Sequence, residues 1–325
     1  MSRIVVSQPI HAEVLARLQS AGEVVMNPGP EPWDAERLAS HLGAADAWMA
    51  FMTDRIDATM LARAPRLRAV ACALKGYDNF DLAACARAGV QVSFVPDLLT
   101  EPTAELAVGL AIAAARHLLD GDRRVRAGYA GWRPALYGTG LHGSTVAVVG
   151  LGAVGRAIVD RLQGFGCAEI LGVDPAQRDA RTRAAGLREA MQQAHYVLLA
   201  VPLTPSSRHL IDARTLADAR PGQLLVNVGR GSVVDEQAVC AALESGRLGA
   251  YAADVFELED WRLPDRPGGI PQGLLQHPRT VFTPHLGSAV RDVRRAIEMR
   301  AAENLVAALA GEAVADLASS VSASY

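Results

Sequence analysis

The sequence predicts an α/β protein of two domains, each a doubly wound parallel sheet, with a cleft between them. Three observations carry that expectation. Short apolar runs alternate with segments of helical period over the first hundred residues, a second alternating series begins at Thr145, and a long helix near the end can return to pack on the first series. A chain of 325 residues has room for two cores.

In the first series Arg3–Ser7 (RIVVS) reads as a strand, His11–Ser20 as a helix and Glu23–Met26 as a second strand. Asp34–Leu42 is helical and closed by Gly43, Ala47–Met52 (AWMAFM) is a buried strand, and Asp57–Ala62 is a short helix with Asp57 as its cap. Leu67–Leu74 (LRAVACAL) is a strand, Leu82–Ala88 a helix closed by Gly89, and Val90–Val95 a strand ended by Pro96. Helix Glu105–Leu119 then carries the chain away, with Pro102 and Thr103 as its start signal. In the second series Thr145–Val149 (TVAVV) is an unbroken apolar strand, followed by a glycine turn and a helix over Arg156–Gly164. Strand Glu169–Val173 ends at Asp174, and further strands follow at Tyr196–Ala200, Leu224–Asn227, Ala250–Asp254 and Val281–Thr283, with helix Glu236–Ser245 among the connections. The last helix spans Val290–Leu309. Crossings near Leu99–Pro102 and Leu286–Ser288 divide the chain into a discontinuous domain, 1–99 with 289–325, and a continuous one, 100–288, hinged over a cleft.

Composition narrows the function classes. Half of the residues are hydrophobic, 21% are charged and the formal net charge is −3, which argues against a general nucleic-acid binder. No apolar run reaches 18 residues, and Met1–Asn27 lacks a basic start leading into an apolar stretch, so neither a membrane span nor a secretory signal is expected. Cys72, Cys85, Cys167 and Cys240 are widely spaced, with no C-x-x-C pair and no histidine cluster, which points to free thiols in a reducing cytoplasm and to no metal site. The small-residue tail Ala318–Tyr325 is expected to fray. Of 32 cationic residues 31 are Arg, and the one Lys is Lys75. Such a bias replaces Lys wherever Arg will serve, so the survivor marks a position where a compact ammonium is needed.

Gly150-Leu-Gly152-Ala-Val-Gly155 follows a strand, opens a helix and is followed by an acid, Asp174, 19 residues after Gly155. Gly150 permits the tight turn, Gly152 lets the backbone approach a pyrophosphate, and Gly155 allows close helix–strand packing. Asp174 would accept from both ribose hydroxyls and repel a 2′-phosphate, favouring NAD over NADP. The second domain is therefore expected to be a Rossmann NAD-binding domain, and the first a flavodoxin-like substrate domain.

Ligands of such sheets bind beyond the carboxyl ends of strands. Three ionisable groups fall there. Arg230 lies in Val228-Gly-Arg-Gly-Ser232, an acidic run lies in Glu257-Leu-Glu-Asp260, and His285 lies in Pro284-His-Leu-Gly-Ser288. Arg offers a fixed fork to an oxyanion, and a His held by a Glu keeps one tautomer for proton transfer. His11, His41, His117, His142, His195, His209 and His277 sit in helical or loop patterns without such company and are read as structural.

With that set in place the chain resembles the NAD-dependent D-2-hydroxyacid dehydrogenase family over essentially its whole length. The segments that carry the resemblance are Phe51-Met-Thr-Asp-Arg55, Cys72-Ala-Leu-Lys-Gly-Tyr-Asp-Asn-Phe-Asp81, Phe94-Val-Pro-Asp-Leu-Leu-Thr100, Gly131-Trp-Arg-Pro-Ala-Leu-Tyr-Gly-Thr-Gly140, Asp254-Val-Phe-Glu-Leu-Glu-Asp-Trp261 and Thr283-Pro-His-Leu-Gly-Ser-Ala-Val-Arg291. It fades after Gly311. The resemblance implies Arg230, Glu259 and His285 as catalytic residues, with Glu259 pairing with the histidine and Glu257 its neighbour. It implies that Lys75, Gly76, Met52, Leu99, Arg230, Trp132, Tyr137 and Ser288 bind or back the substrate, Trp132 and Tyr137 by way of a partner subunit of a homodimer. Arg294 would support the site from behind. For the cofactor it implies Thr103, Gly150, Gly152, Ala153, Val154, Gly155, Asp174, Val201, Pro202, Val228, Asp254, His285 and Gly287.

Within the family these segments are similar to its phosphite-oxidising members, and ordinary members usually carry a small apolar residue where Lys75 stands. The expectation is therefore NAD-dependent oxidation of phosphite to phosphate. The alternative is a dehydrogenase of a small 2-hydroxy acid such as glycerate or lactate. An NAD-sensing corepressor would need no intact Arg–Glu–His set.

Overall fold

The structure, a computed structural model, describes residues 1–132 and 135–318. Two compact units emerge, Met1–Leu99 with Ala289–Tyr325, and Thr100–Ser288. The first unit contains β1 (Ser2–Val6), α1 (Ala12–Gln19), β2 (Gly22–Met26), α2 (Ala35–Leu42), β3 (Ala47–Ala50), α3 (Ala58–Ala62), β4 (Ala69–Cys72), α4 (Leu82–Arg87) and β5 (Gln91–Ser93). The strands pair parallel in the order β2-β1-β3-β4-β5, the flavodoxin-type winding. Three of the helices, α2, α3 and α4, start on side-chain caps. Asp34, Asp57 and Asp81 accept from the N–H groups of Arg37, Met60 and Ala84, each satisfying a donor the first turn leaves open. Ile4, Val6, Ala47 and Met49 on one face of the sheet are buried with Val14 and Leu18 of α1 and with Ile297, Ala301 and Leu305 of the long helix Arg291–Ala310. The chain returns to complete this core, and the helix stops at Gly311, in the left-handed region at φ 74°.

The second unit contains α5 (Thr100–Ala115), α6 (Leu118–Arg126), β6 (Thr145–Val149), α7 (Ala153–Leu162), β7 (Glu169–Val173), β8 (Arg183–Ala184), α8 (Leu187–Gln193), β9 (Tyr196–Leu199), α9 (Ala213–Ala217), β10 (Gln223–Asn227), α10 (Glu236–Glu244), β11 (Leu248–Ala253), α11 (Gln272–Gln276) and β12 (Thr280–Phe282). Its seven strands run in the order β12-β11-β10-β9-β6-β7-β8, wound outward in both directions from β6 as in a dinucleotide-binding sheet. Both units are thus parallel-sheet α/β domains. The strands β6, β9 and β10 are buried on both faces, which explains their continuous apolar runs.

One expected helix is two. Glu105–Leu119 is broken at His117, whose φ of 53° lies in the left-handed region, and the chain resumes as α6. The first piece also begins earlier, at Thr100, with Pro102 inside its opening turn, where its missing N–H is not needed. In the Gly131–Gly140 segment, Arg133 and Pro134 lie outside the described residues. Of the tail expected to fray only Ala318 is described, and its N–H donates to the Val92 carbonyl at 2.8 Å; residues 319–325 lie outside. All four cysteines are free, and Cys72, Cys85 and Cys240 are buried. No helix among the described residues is long and apolar enough to cross a membrane, and they contain no metal-type cluster of His, Cys, Asp and Glu.

Candidate active site

The glycine turn after β6 does three separate things. Gly150 has φ 91°, and a Cβ there would stand 2.7 Å from the Ala200 carbonyl oxygen and from the Val201 side chain. Gly155 is packed harder still, since a Cβ would stand 1.8 Å from the Gly150 carbonyl oxygen, so the first turn of α7 rests directly on the strand end. Gly152, the N-cap of α7, faces open space where a Cβ would go. A helix N-terminus with unhindered N–H groups is where a pyrophosphate would sit. Ala153 and Val154 form that first turn.

Asp174, just beyond β7, accepts from Leu151 N–H at 2.8 Å with one oxygen and from Ala176 and Gln177 N–H at 2.9 and 2.8 Å with the other. Burial works to raise this carboxyl, but the three backbone donors outweigh it and hold it below the usual aspartate range. The carboxylate is therefore ionised and fixed beside the glycine turn, as a ribose partner would need. Gly229 closes the neighbouring wall, its Cβ direction 2.5 Å from the Val201 carbonyl oxygen. Val201, Pro202 and Val228 follow β9 and β10 along this same edge. These residues fit a dinucleotide: a clear helix N-terminus, an anchored acid and a glycine-lined wall.

The chemistry-bearing side chains follow β10, β11 and β12, which are adjacent in the sheet. Arg230 sits after β10 on a loop fixed from below, where the Asn227 amide donates to the Arg230 carbonyl at 2.9 Å and Asn227 Oδ1 accepts from Gly229 N–H at 3.1 Å. The Arg230 guanidinium donates to the Gly229 carbonyl at 2.8 Å. Glu259 ends a 3-10 turn, Glu257–Glu259, after β11. One of its oxygens accepts from Phe256 N–H at 3.1 Å, and the other lies 2.6 Å from His285 Nδ1. Glu259 and not Glu257 is thus the partner of His285, leaving the imidazole Nε2 as the atom available for proton transfer.

His285 itself is held in an uncommon backbone. Its φ is 55°, and its N–H donates to the carbonyls of Asp254 and Thr283. Asp254 over-determines that turn, accepting from Thr283 Oγ1 at 2.6 Å, Leu286 N–H at 2.7 Å and Gly287 N–H at 2.9 Å. Burial pushes the Asp254 carboxyl above its ordinary value despite these donors. Gly287 is needed where it stands, because a Cβ would meet Thr103 Oγ1 at 3.0 Å and Asp254 Oδ2 at 3.3 Å. Thr103, Asp254, His285 and Gly287, all expected on the cofactor side, therefore form one wall. Ser288 is buried beside it.

In the first unit, Met52 follows β3, Lys75 and Gly76 follow β4, and Leu99 comes after β5, so these expected substrate residues share the carboxyl edge of that sheet. The Cys72 thiol donates to the Gly76 carbonyl at 3.3 Å, and the Asn79 amide donates to the Met52 carbonyl at 3.0 Å. Arg294 places its guanidinium 6.0 Å from the centre of the Phe51 ring, and burial pulls its pKa below the ordinary arginine value. Trp132 and Tyr137 are 77% and 81% exposed, so within one chain they project outward.

Two histidines read as structural have acidic company after all. His209 Nε2 lies 3.0 Å from Glu257, and His11 Nδ1 lies 2.7 Å from Glu298. The partners are 48 and 287 residues away in the chain, so spacing carries no signal of either pair. Glu236, which receives the Glu257 N–H at 2.8 Å, reads in the sequence as an ordinary helix residue for the same reason.

A family model described as D-isomer specific 2-hydroxyacid dehydrogenase, NAD binding domain, matches residues 108–287. A glyoxylate reductase of Pyrococcus furiosus is 35% identical over 299 residues, covering 87% of this chain and 86% of its own. Among solved structures, the TT0316 protein from Thermus thermophilus superimposes with a TM-score of 0.90 at 32% identity, covering 98% of this chain and all of that one. An NADPH-dependent glyoxylate/hydroxypyruvate reductase from Sinorhizobium meliloti, in complex with NADP and malonate, gives a TM-score of 0.85 at 29% identity, covering 98% and 97%.

Proposed function

The chain belongs to the D-isomer specific 2-hydroxyacid dehydrogenase family, and on that premise we propose that it oxidises phosphite to phosphate with NAD as the hydride acceptor. The observation that carries the substrate reading is Lys75, the single lysine against 31 arginines, half-buried in the loop after β4. Phosphite spreads up to two negative charges over three oxygens of a compact tetrahedron. A 2-hydroxy acid offers one carboxylate charge and an organic side chain. An ammonium in addition to the Arg230 guanidinium suits the former, and its freely rotating donors suit a small tetrahedral ion better than a second planar fork. The resemblance of the segments around Lys75 and Asp254–Trp261 to phosphonate dehydrogenase supports the same reading.

When bound, the nicotinamide ring supplies the hydride acceptor. The chain's own residues supply the rest. Lys75 and Arg230 hold the oxyanion and present its P–H bond, and His285 takes a proton from the water whose oxygen bonds to phosphorus as the P–H bond breaks. Glu259 keeps the imidazole in one tautomer and stabilises the cation that forms. The products are phosphate, reduced cofactor and one proton.

The names of curated relatives, glyoxylate reductases at 32–35% identity among them, favour a second reading, interconversion of a small 2-hydroxy acid and its 2-oxo acid. There Arg230 would clamp the carboxylate, His285 would exchange a proton with the substrate oxygen, and Lys75 would have no task. The test compares wild type and Lys75→Ala on phosphite, glyoxylate, glycerate and lactate. The phosphite reading expects a phosphite KM raised by about 10²-fold in the variant. Turnover confined to the organic acids assigns the second reading, and an unchanged phosphite KM places Lys75 outside the pocket. We also propose a homodimer, because Leu118, Leu119, Val125, Tyr129, Trp132 and Tyr137 expose large apolar side chains within one stretch of chain. Light scattering on the eluted protein should give the mass of two chains, and a single-chain mass would remove this proposal.

A further inference from the structure

Behind the Arg230 loop and the Glu259 turn lies a second group of ionisable side chains. Glu236, the first residue of α10, is 1% exposed. Its N–H donates to Glu257 Oε1 at 3.0 Å, and the Glu257 N–H donates back to Glu236 Oε1 at 2.8 Å. This reciprocal pair ties the start of α10 to the turn that ends in Glu259. Two further ties run beside it. Ser232 N–H donates to Asp260 Oδ2 at 2.8 Å, and Gly231 lies so close to the Phe256 backbone that a Cβ would stand 1.9 Å from its carbonyl carbon. Glu257 is held on its other oxygen by His209 Nε2 at 3.0 Å, and the His209 N–H in turn donates to the Ser232 carbonyl. The loop of Arg230 and the turn of Glu259 are thus one braced piece, and Glu236 is its innermost brace.

The second oxygen of Glu236, Oε2, is buried without a hydrogen-bond partner. The groups around it are Glu257, Glu259 and Asp260 from the turn, the Tyr251 hydroxyl from β11, Asp235 at the cap of its own helix, and His209 reached through Glu257. A bare buried carboxylate oxygen among four other carboxyls is a poor place for negative charge, whereas a carboxylic acid there adds none. We propose that Glu236 is a positioning residue working as the neutral acid, its paired bonds with Glu257 holding the turn that aims Glu259 at His285, and that its ionisation loosens that turn. The proposal rests on the Arg230–Glu259–His285 set as the catalytic group. Burial and the neighbouring carboxylates push the Glu236 carboxyl up to about 7, inside the working range of a proton-transferring enzyme.

The test uses the full chain and two variants. Glu236→Gln keeps the acceptor for Glu257 N–H and cannot ionise, while Glu236→Ala removes the brace. Infrared difference spectra of wild type against Glu236→Gln read the proton without turnover, so this arm stands apart from the substrate assignment. A protonated-carboxyl band at about pH 6 that vanishes by about pH 9 is expected, and its absence at the lower pH overturns the proposal. In kinetics, wild-type kcat should fall on the alkaline side in step with that band, while Glu236→Gln stays within about twofold across the range. Glu236→Ala, shown folded by its melting transition, should lose about tenfold or more in kcat at every pH with the KM for NAD little changed. Superimposable alkaline limbs for wild type and Glu236→Gln, or a Glu236→Gln variant as slow as Glu236→Ala at about pH 6, would overturn it.

Discussion

Replacing Asp54 by Asn should stabilise the protein at alkaline pH and not at acid pH. Asp54 is buried just beyond β3 and closes the turn that carries Met52. One carboxyl oxygen, Oδ2, accepts both the Phe51 N–H at 2.7 Å and the Ser7 hydroxyl. Burial pushes the carboxyl up to about 7 from an ordinary value near 3.8, against the pull of the Ser7 and Phe51 donors. Below the unfolded value both states are protonated and the group costs nothing. Between the two values the unfolded chain ionises while the folded one stays neutral, so stability falls as pH rises, and above about 7 the full cost is present. A shift of about three units corresponds to about 4 kcal/mol. The amide keeps one oxygen for both donors but accepts more weakly than a carboxylate, giving back about 1 kcal/mol. The variant should therefore gain about 2–3 kcal/mol at about pH 8, roughly 5–10 °C in Tm for a unit of this size, and be level with wild type or slightly below it at about pH 4. Thermal melts of the full chain at the two pH values give the comparison. A gain of equal size at both, or a loss at the higher pH, would show that Asp54 is not held neutral by its burial.

Four other substitutions probe the site. Glu259→Gln removes the charge 2.6 Å from His285 Nδ1 while keeping its shape, and kcat/KM should fall about 10²–10³-fold with Tm little altered; a loss under threefold would mean that the pair is not part of the chemistry. Gly155→Ala drives a Cβ to 1.8 Å from backbone and should cost about 2 kcal/mol or more in urea unfolding, whereas Gly152→Ala meets open space and should leave stability alone while raising the KM for NAD. Equal effects of the two glycines on stability would contradict the division of labour in the turn. Asp174→Ala should shift the NADP/NAD preference toward NADP by at least about tenfold, and an unchanged ratio would show that another group reads the ribose.

Local chemistry makes much of this molecule legible in advance. Apolar runs such as Thr145–Val149 announce strands, Asp57 is readable as a helix cap, and the glycine turn announces its own geometry, so Gly150, Gly152, Gly155 and Asp174 are legible from spacing alone. Arg230, the acidic run and His285 are findable because parallel strands deliver their loops to one edge. What spacing does not show is pairing across the chain. The choice of Glu259 over Glu257 as the partner of His285 comes from family resemblance, and the Glu236–Glu257 ring and the His209–Glu257 contact join residues 21 and 48 apart. The break at His117 is equally hidden, because neither Gly nor Pro marks it and a non-glycine residue takes up the left-handed φ.

NADH formation from phosphite tests most directly whether phosphite is the substrate. Purified protein with NAD and phosphite should give a steady rise in NADH absorbance with one phosphate released per NADH, and glycerate or lactate should give a far slower rise. NADH from the hydroxy acids but none from phosphite would contradict the phosphite reading and leave Lys75 without the role argued for it.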